Sequence, residues 1–271
     1  MRAFIIITIL LSSFLLFGQD ERILYADFEF EKGSKELLYG DRVVFRKEPS
    51  KDADAIDTLS IGDEVTIIEK TMETMQINGL NSNWYKVKKG RKTGYILGGL
   101  IALDNVEIDG DTYLIIYAGN GEEYSLNIRS RVLKRNGEYY GHESYLNTHA
   151  ISIQAYDDRG VDNIQNMLVV NLHAEACGVD GGQTYLFNNG EKLIEAIHVS
   201  DVGDGGFWFS ESLTFPNDEE GYEGVIRYDR ESGEPMDDEM SWMRSVKNTV
   251  ILRWENNAFT PNIREFDFND E

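Results

Sequence analysis

The feature that most constrains this chain is its punctuation: short runs rich in Val, Ile, Tyr, Phe and Trp, separated throughout by clusters of Gly, Asn and Asp. No long segment carries clean 3.6-residue periodicity, so amphipathic helices are excluded as the main building material and an all-β fold is expected. One helix candidate stands out, Pro235 to Val246, where a proline start and an acidic first turn suit a helix N-terminus; an acidic loop fits the same residues equally well.

The N-terminus has a different character. Arg2 is followed by an apolar run from Ala3 to Phe17 broken only by Thr8, Ser12 and Ser13, with no acid before Asp20. This is the pattern of a secretory leader, shorter than the roughly 20 apolar residues of a membrane span. Residues 1–18 are read as a signal peptide cleaved between Gly18 and Gln19, the alternative being an uncleaved anchor. The exported product is expected in the periplasm or outside the cell, without membrane insertion once the leader is removed. The single cysteine, Cys177, leaves no thiol at the cleavage site for acylation and no partner for an intrachain disulfide, so stability must come from cores.

Formal net charge is −22, and loss of Arg2 with the leader leaves 25 basic against 48 acidic side chains, a net −23. Phosphate backbones are bound by neutralising them with Lys and Arg, so a nucleic-acid partner is set aside. The acidity reads first as solubility, with a divalent cation or a cationic partner as the alternative.

Residues 19–37 form an N-terminal segment with one strand-like patch, Ile23 to Tyr25, and a charged stretch through Lys35. Residues 38–103 read as a succession of short strands around Arg42 to Arg46, Val65 to Ile68, Trp84 to Val87 and Lys92 to Ile96, with Gly62-Asp63 and Gly90 at turns. Val65, Ile67, Tyr85 and Val87 alternate toward one interior, and so small a block can cover its apolar face only by curling into a barrel.

The order of Arg46, Pro49-Ser50, Gly62-Asp63, Trp84-Tyr85-Lys86-Val87 and Gly94-Tyr95-Ile96 resembles the bacterial SH3 family, over about a quarter of the chain. The resemblance implies an SH3-like barrel that binds a cell-wall peptide or an envelope protein, and Trp84 and Tyr85 are the candidate binding aromatics, although alternation sends one of them into the core. Two departures, Val44 and Glu48 near the first strand and a long Lys70 to Asn83 loop, leave the fold intact but not any ligand contact made there.

Residues 104–271 are expected to form a larger antiparallel β-domain, propeller-like or sandwich-like. Asn136-Gly137, Asn189-Gly190 and Asn256-Asn257 are hairpin turn signals and mark a weak internal repeat. The run from Met167 to Leu193 looks like β-domains of secreted proteins from Bacteroidetes-type bacteria, which implies location and architecture but no activity.

Chemistry is sparse. Cys177 lies between Ala176 and Gly178 without a neighbouring base to activate a thiol, and reads as a buried small hydrophobe. His142, His149, His173 and His198 show no zinc-ligand spacing, His173 and Cys177 being far apart along a strand. Acidic loops at Asp109-Gly110-Asp111, Asp157 to Asp162 and Asp201 to Asp204 supply the oxygen ligands a hard cation prefers but complete no calcium loop; no cofactor and no metal is expected. Exposed aromatics at Tyr139-Tyr140, Phe207-Trp208-Phe209 and Trp242 could hold a peptide or glycan, with Trp208 the third candidate ligand-binding residue. The leading expectation is therefore an exported, non-catalytic binding or scaffold protein. Its rivals are a cell-envelope hydrolase with an acidic-residue site in the second domain and a structural subunit of an envelope assembly.

Overall fold

The structure, a computed structural model, describes residues 22–119, 126–174, 176–237 and 242–265; the expected leader lies outside them. The chain is all-β. Its first sheet holds β1 (Lys35–Leu37), β2 (Val43–Arg46), β3 (Ala55–Leu59), β4 (Glu64–Ile77), β5 (Leu80–Lys89) and β6 (Lys92–Leu97) in the order β1-β4-β5-β6-β2-β3. The sheet curls around Phe45, Val65, Ile67, Tyr85, Val87 and Ile96, so the alternation seen in the sequence does face one interior. β4 and β5 run past that interior as a long hairpin closed by Asn78 and Gly79, both at positive φ, the geometry of a type I′ turn.

Gly94 shows why the closing strand needs a glycine. A Cβ there would stand 2.5 Å from the Arg46 carbonyl oxygen, 2.6 Å from Ile56 and 2.7 Å from Phe45, at the point where β6 pairs with β2. Gly94→Ala is expected to cost about 1–3 kcal/mol by overpacking, read as a lower urea midpoint; an unchanged midpoint would show that the seam is loose.

Three further antiparallel meanders follow. The second sheet runs β10-β9-β8-β7 from β7 (Asp104–Ile108), β8 (Asp111–Gly119), β9 (Leu126–Leu133) and β10 (Tyr139–Tyr145). The third runs β11-β12-β13-β14 from β11 (Ala150–Asp157), β12 (Asn166–His173), β13 (Gly182–Asn188) and β14 (Leu193–Val199). The fourth runs β15-β16-β17-β18-β19 from β15 (Asp201–Asp204), β16 (Phe207–Thr214), β17 (Ile226–Pro235), β18 (Met243–Glu255) and β19 (Ala258–Thr260).

The third sheet is the middle layer. Leu168, Val170, Leu172 and Leu186 pack toward the second sheet against Tyr113, Ile115 and Ile128. The alternate residues Met167, Val169, Tyr185 and Phe187 pack toward the fourth, against Leu213, Phe215, Tyr228 and Trp254. A sheet with both faces buried reads as a continuous apolar run rather than an alternating one, and Met167-Leu168-Val169-Val170 is such a run. Near β11 to β14 the architecture is therefore a stack of meanders.

One open alternative closes and one expectation fails. At the Pro235 to Val246 helix candidate the described ends are strand: Pro235 ends β17 and Met243 begins β18, with Met236 N donating to the Trp242 carbonyl at 2.9 Å. The cross-strand partners beside it override the helix-start chemistry. Cys177 is exposed, in the turn between β12 and β13; it sits in a connection where Gly178, at positive φ, and Gly181-Gly182 follow it, and a small apolar side chain cannot pull that segment inward.

Candidate functional site

Two clefts involve residues singled out from the sequence. The first, of about 320 Å³, lies where the N-terminal segment crosses from the curled sheet to the second sheet. Leu24 forms an antiparallel bridge with Ile151 of β11, its N–H donating to the Ile151 carbonyl at 2.7 Å. Gly33 N donates to the Ile67 carbonyl at 2.8 Å and Ile67 N to that of Ser34 at 2.9 Å. Pinned at both ends, the segment sets Phe28 and Phe30 edge-to-face, centroids 5.4 Å apart, and Phe30 edge-to-face on Tyr85 at 5.2 Å. Ile77, Leu80 and Ile116 add apolar walls, while Asp27, Asn81 and Asn83 bring polar groups to the cleft. Lys70 pairs with Glu29 across its mouth.

Tyr85 thus lines this cleft as a mostly buried side chain. Burial pushes its phenol above the ordinary tyrosine range, opposed by a hydrogen bond from the Phe30 backbone and by Lys70, so it stays a neutral hydroxyl. Trp84 points to the opposite face of β5 and is buried too, 4% exposed. Sequence alternation assigns sides correctly but expected only one of the pair inside; both are, and Trp84 does not line the cleft.

The second cleft, about 440 Å³, lies on the fourth sheet and is bordered by Trp208. Ladder register decides which side chains share it. Phe209 stands opposite Val202 and Ser232, and Phe207 opposite Asp204; Ser232 and Glu234 stand opposite Val246 and Arg244. These share a face with Leu213, Tyr228 and Val250 of the core. The cleft is the same inner face continued beyond the core, where Phe207 becomes 56% exposed. Trp208 belongs to the other face, and its indole occupies the space a side chain at Gly233 would fill. Sequence alternation separated Trp208 from the two Phe; it did not reveal that the Phe face leaves the core at this end.

Carboxylates of two of the acidic loops are engaged within the protein. Asp157 accepts from Arg159 N at 2.9 Å and Asp158 from Gly160 N at 2.8 Å, while Asp218 holds the Arg159 guanidinium at 2.6 Å. Asp111 accepts from Lys134 at 2.7 Å. His173 Nε2 is 2.9 Å from Ser152 Oγ, and His198 lies between Thr184 and Asp180. No group of three or more His, Cys, Asp or Glu among the described residues is arranged to hold a metal ion. Asp104 is raised above the ordinary carboxylate range by burial, opposed by the Asn105 N–H and by Arg22, and lies outside both clefts.

The parts missed by sequence reading are Phe28 and Phe30, taken as a charged stretch, and the Glu234 and Arg244 flank of the second cleft. Period-two alternation in Asp27-Phe28-Glu29-Phe30-Glu31 was the available signal for the first.

With this geometry in place, comparison with known families gives one result: residues 41–102 match the family described as Bacterial SH3 domain. That stretch is β2 to β6 with the connection onward to Ala102, so the curled sheet apart from β1 is similar to a bacterial SH3 domain. No curated protein and no solved structure gives a significant match. Among the described residues no helix is long and apolar enough to cross a membrane.

Proposed function

We propose that this is an exported, non-catalytic binding protein whose bacterial SH3 domain recognises a peptide of the cell envelope, with the meander stack as the scaffold that presents it. The observation that carries this reading is the family match of residues 41–102 together with the cleft that this domain shares with the N-terminal segment and the second sheet. Its apolar floor with a few convergent polar groups is the composition of a ligand site. Asparagine side chains at the rim offer both donors and acceptors, which suits the amides of a short extended peptide.

The test is sedimentation of the full chain with peptidoglycan sacculi, with soluble fragments assayed in the supernatant. Co-sedimentation without release is expected. Ala26→Trp, an exposed position on the cleft, should lower the bound fraction at least fivefold while leaving the circular dichroism spectrum unchanged. Fragment release would replace the binding reading with the hydrolase, and full binding by the Ala26→Trp variant would remove the cleft from it.

A further inference from the structure

The second cleft has no part in the SH3 domain, and its composition is unusual for this molecule. On a chain of net charge −22, its lining balances two cations, Arg230 and Arg244, against two carboxylates, Asp204 and Glu234. A locally neutral cleft on a polyanion gives an anionic ligand no attractive patch to offset the overall field and needs no charge on its ligand. It does offer donors and acceptors of fixed position: guanidinium groups donate only and carboxylates accept only. Among the described residues Arg244 and Glu234 make no ion pair, although they face each other across the β17–β18 ladder, so both are available to a ligand.

The apolar part is planar. Phe207 and Phe209 lie two residues apart on one face of β16, about 7 Å at roughly 3.4 Å per residue, with the Arg230 guanidinium 5.0 Å from the Phe209 ring centre. The same face continues along the β17–β18 hairpin. Met236 follows Ser232 and Glu234 in alternation, and Trp242 follows Val246 and Arg244. Met236 N bonds the Trp242 carbonyl, which keeps the two residues in the ladder's extension. Trp242 is 63% and Met236 43% exposed. From Arg230 to Met236 the strip runs about 20 Å at roughly 3.4 Å per residue.

We propose that this strip binds a linear, uncharged oligosaccharide. Sugar rings present an apolar C–H face that stacks on aromatic planes and a rim of hydroxyls that both donate and accept. An elongated strip of Phe209, Phe207 and Trp242 interleaved with balanced Arg and carboxylate groups matches both properties along several rings. A peptide backbone also carries donors and acceptors; the spaced row of exposed aromatic planes is what favours sugar rings, and an extended peptide is the competing occupant in the test.

The experiment is calorimetric and fluorescence titration of the full chain with three neutral hexasaccharides: of N-acetylglucosamine, of β-1,4-linked glucose and of α-1,4-linked glucose. Cationic chitosan hexamer and an anionic galacturonate hexamer serve as charged comparators. At least one neutral hexamer should bind and shift tryptophan emission. Trp242→Ala and Phe207→Ala, both at exposed positions, should each weaken it at least tenfold. Ile251→Ala, an exposed apolar position on β18 outside the cleft lining, should leave affinity within twofold. The proposal is overturned by no binding of any neutral hexamer, by preference for a charged one, by indifference to both aromatic substitutions, or by binding of an uncharged extended peptide in place of sugar. Sacculi carry glycan strands as well as peptides, so Ala26→Trp is measured on sacculi in the Trp242→Ala background and Trp242→Ala on the free hexasaccharides; in this arrangement either site can fail alone.

Discussion

Asp111→Ala is expected to lower the unfolding free energy by about 3 kcal/mol, near the lower end of the roughly 3–5 kcal/mol seen when one member of a buried ion pair is removed. The carboxylate is 9% exposed and receives Lys134 at 2.7 Å and Asn188 Nδ2 at 3.1 Å. Behind it Asn188 also donates to Asn166 Oδ1 at 2.8 Å, Tyr113 OH donates to the same oxygen at 2.6 Å, and Tyr140 OH donates to Asn188 Oδ1 at 2.5 Å. Burial drives the Tyr113 phenol far above its ordinary range, so it remains a donor at any working pH. The network joins β8 and its neighbours to β12 and β13 of the middle layer, and every member depends on another for its remaining bonds. Truncation of Asp111 leaves an ammonium and an amide in a place water reaches poorly, at a cost that falls on the folded state alone. Lys134 keeps Gln165 at 2.9 Å and is 20% exposed, which places the effect at the low end of the range. Urea denaturation of both proteins measures it; a loss below about 1 kcal/mol would mean that the side chains re-pair and the two sheets are held by apolar contact alone. Lys47→Ala, which opens an exposed pair with Asp54, is the comparison and should barely move the midpoint.

Legibility from sequence followed physical range. Local signals were reliable: Asn256 and Asn257 take positive φ at the β18–β19 turn, and Asn189-Gly190 closes β13 onto β14. So were one-face alternations inside a single sheet, as at Val65, Ile67 and Val87. What failed depended on the neighbour a face meets. Alternation could separate Trp84 from Tyr85 but not say that both sides are covered. It could separate Trp208 from Phe207 and Phe209 but not say that the inner face of the fourth sheet outruns its partner. Short edge strands β7, β10, β15 and β19 were overlooked because their residues are polar or exposed; Tyr139–Tyr145 holds a single fully buried residue, Ser144. The Asp109-Gly110-Asp111 loop, weighed as a cation site against an ordinary turn, is a hairpin turn with Asp109 and Gly110 at positive φ. Its second carboxylate is turned inward by partners 23 to 77 residues away in sequence, a distance no spacing rule reaches.

Phe30→Ala should be the most damaging single change, about 3–5 kcal/mol for removing a buried phenylalanine from a core. Phe30 is 8% exposed and belongs to the SH3 interior, yet it arrives on a segment that precedes β1. The same segment places Leu24, fully buried, among the side chains between the second and third sheets, and Phe28 touches both cores. Ten residues of chain therefore connect three sheets, and weakening their central anchor loosens the barrel from the stack as well as emptying a hole beside Tyr85. Both consequences can be read. Hydrogen exchange should quicken at Leu24 and Ile151, whose backbone groups pair with each other, before it quickens within β12. Sacculus binding should fall with the lost Phe30–Tyr85 wall, whereas Phe30→Leu, which refills much of the volume, should recover stability more fully than binding. A double-mutant cycle of Phe30→Ala with Tyr85→Leu isolates the edge-to-face pair, for which a coupling of about 0.5–1.5 kcal/mol is expected. A coupling indistinguishable from zero, with binding unchanged, would show that the N-terminal segment is an ornament on a self-sufficient SH3 domain; the expected coupling makes it a wall of the site, so that the ligand cleft exists only in the assembled molecule.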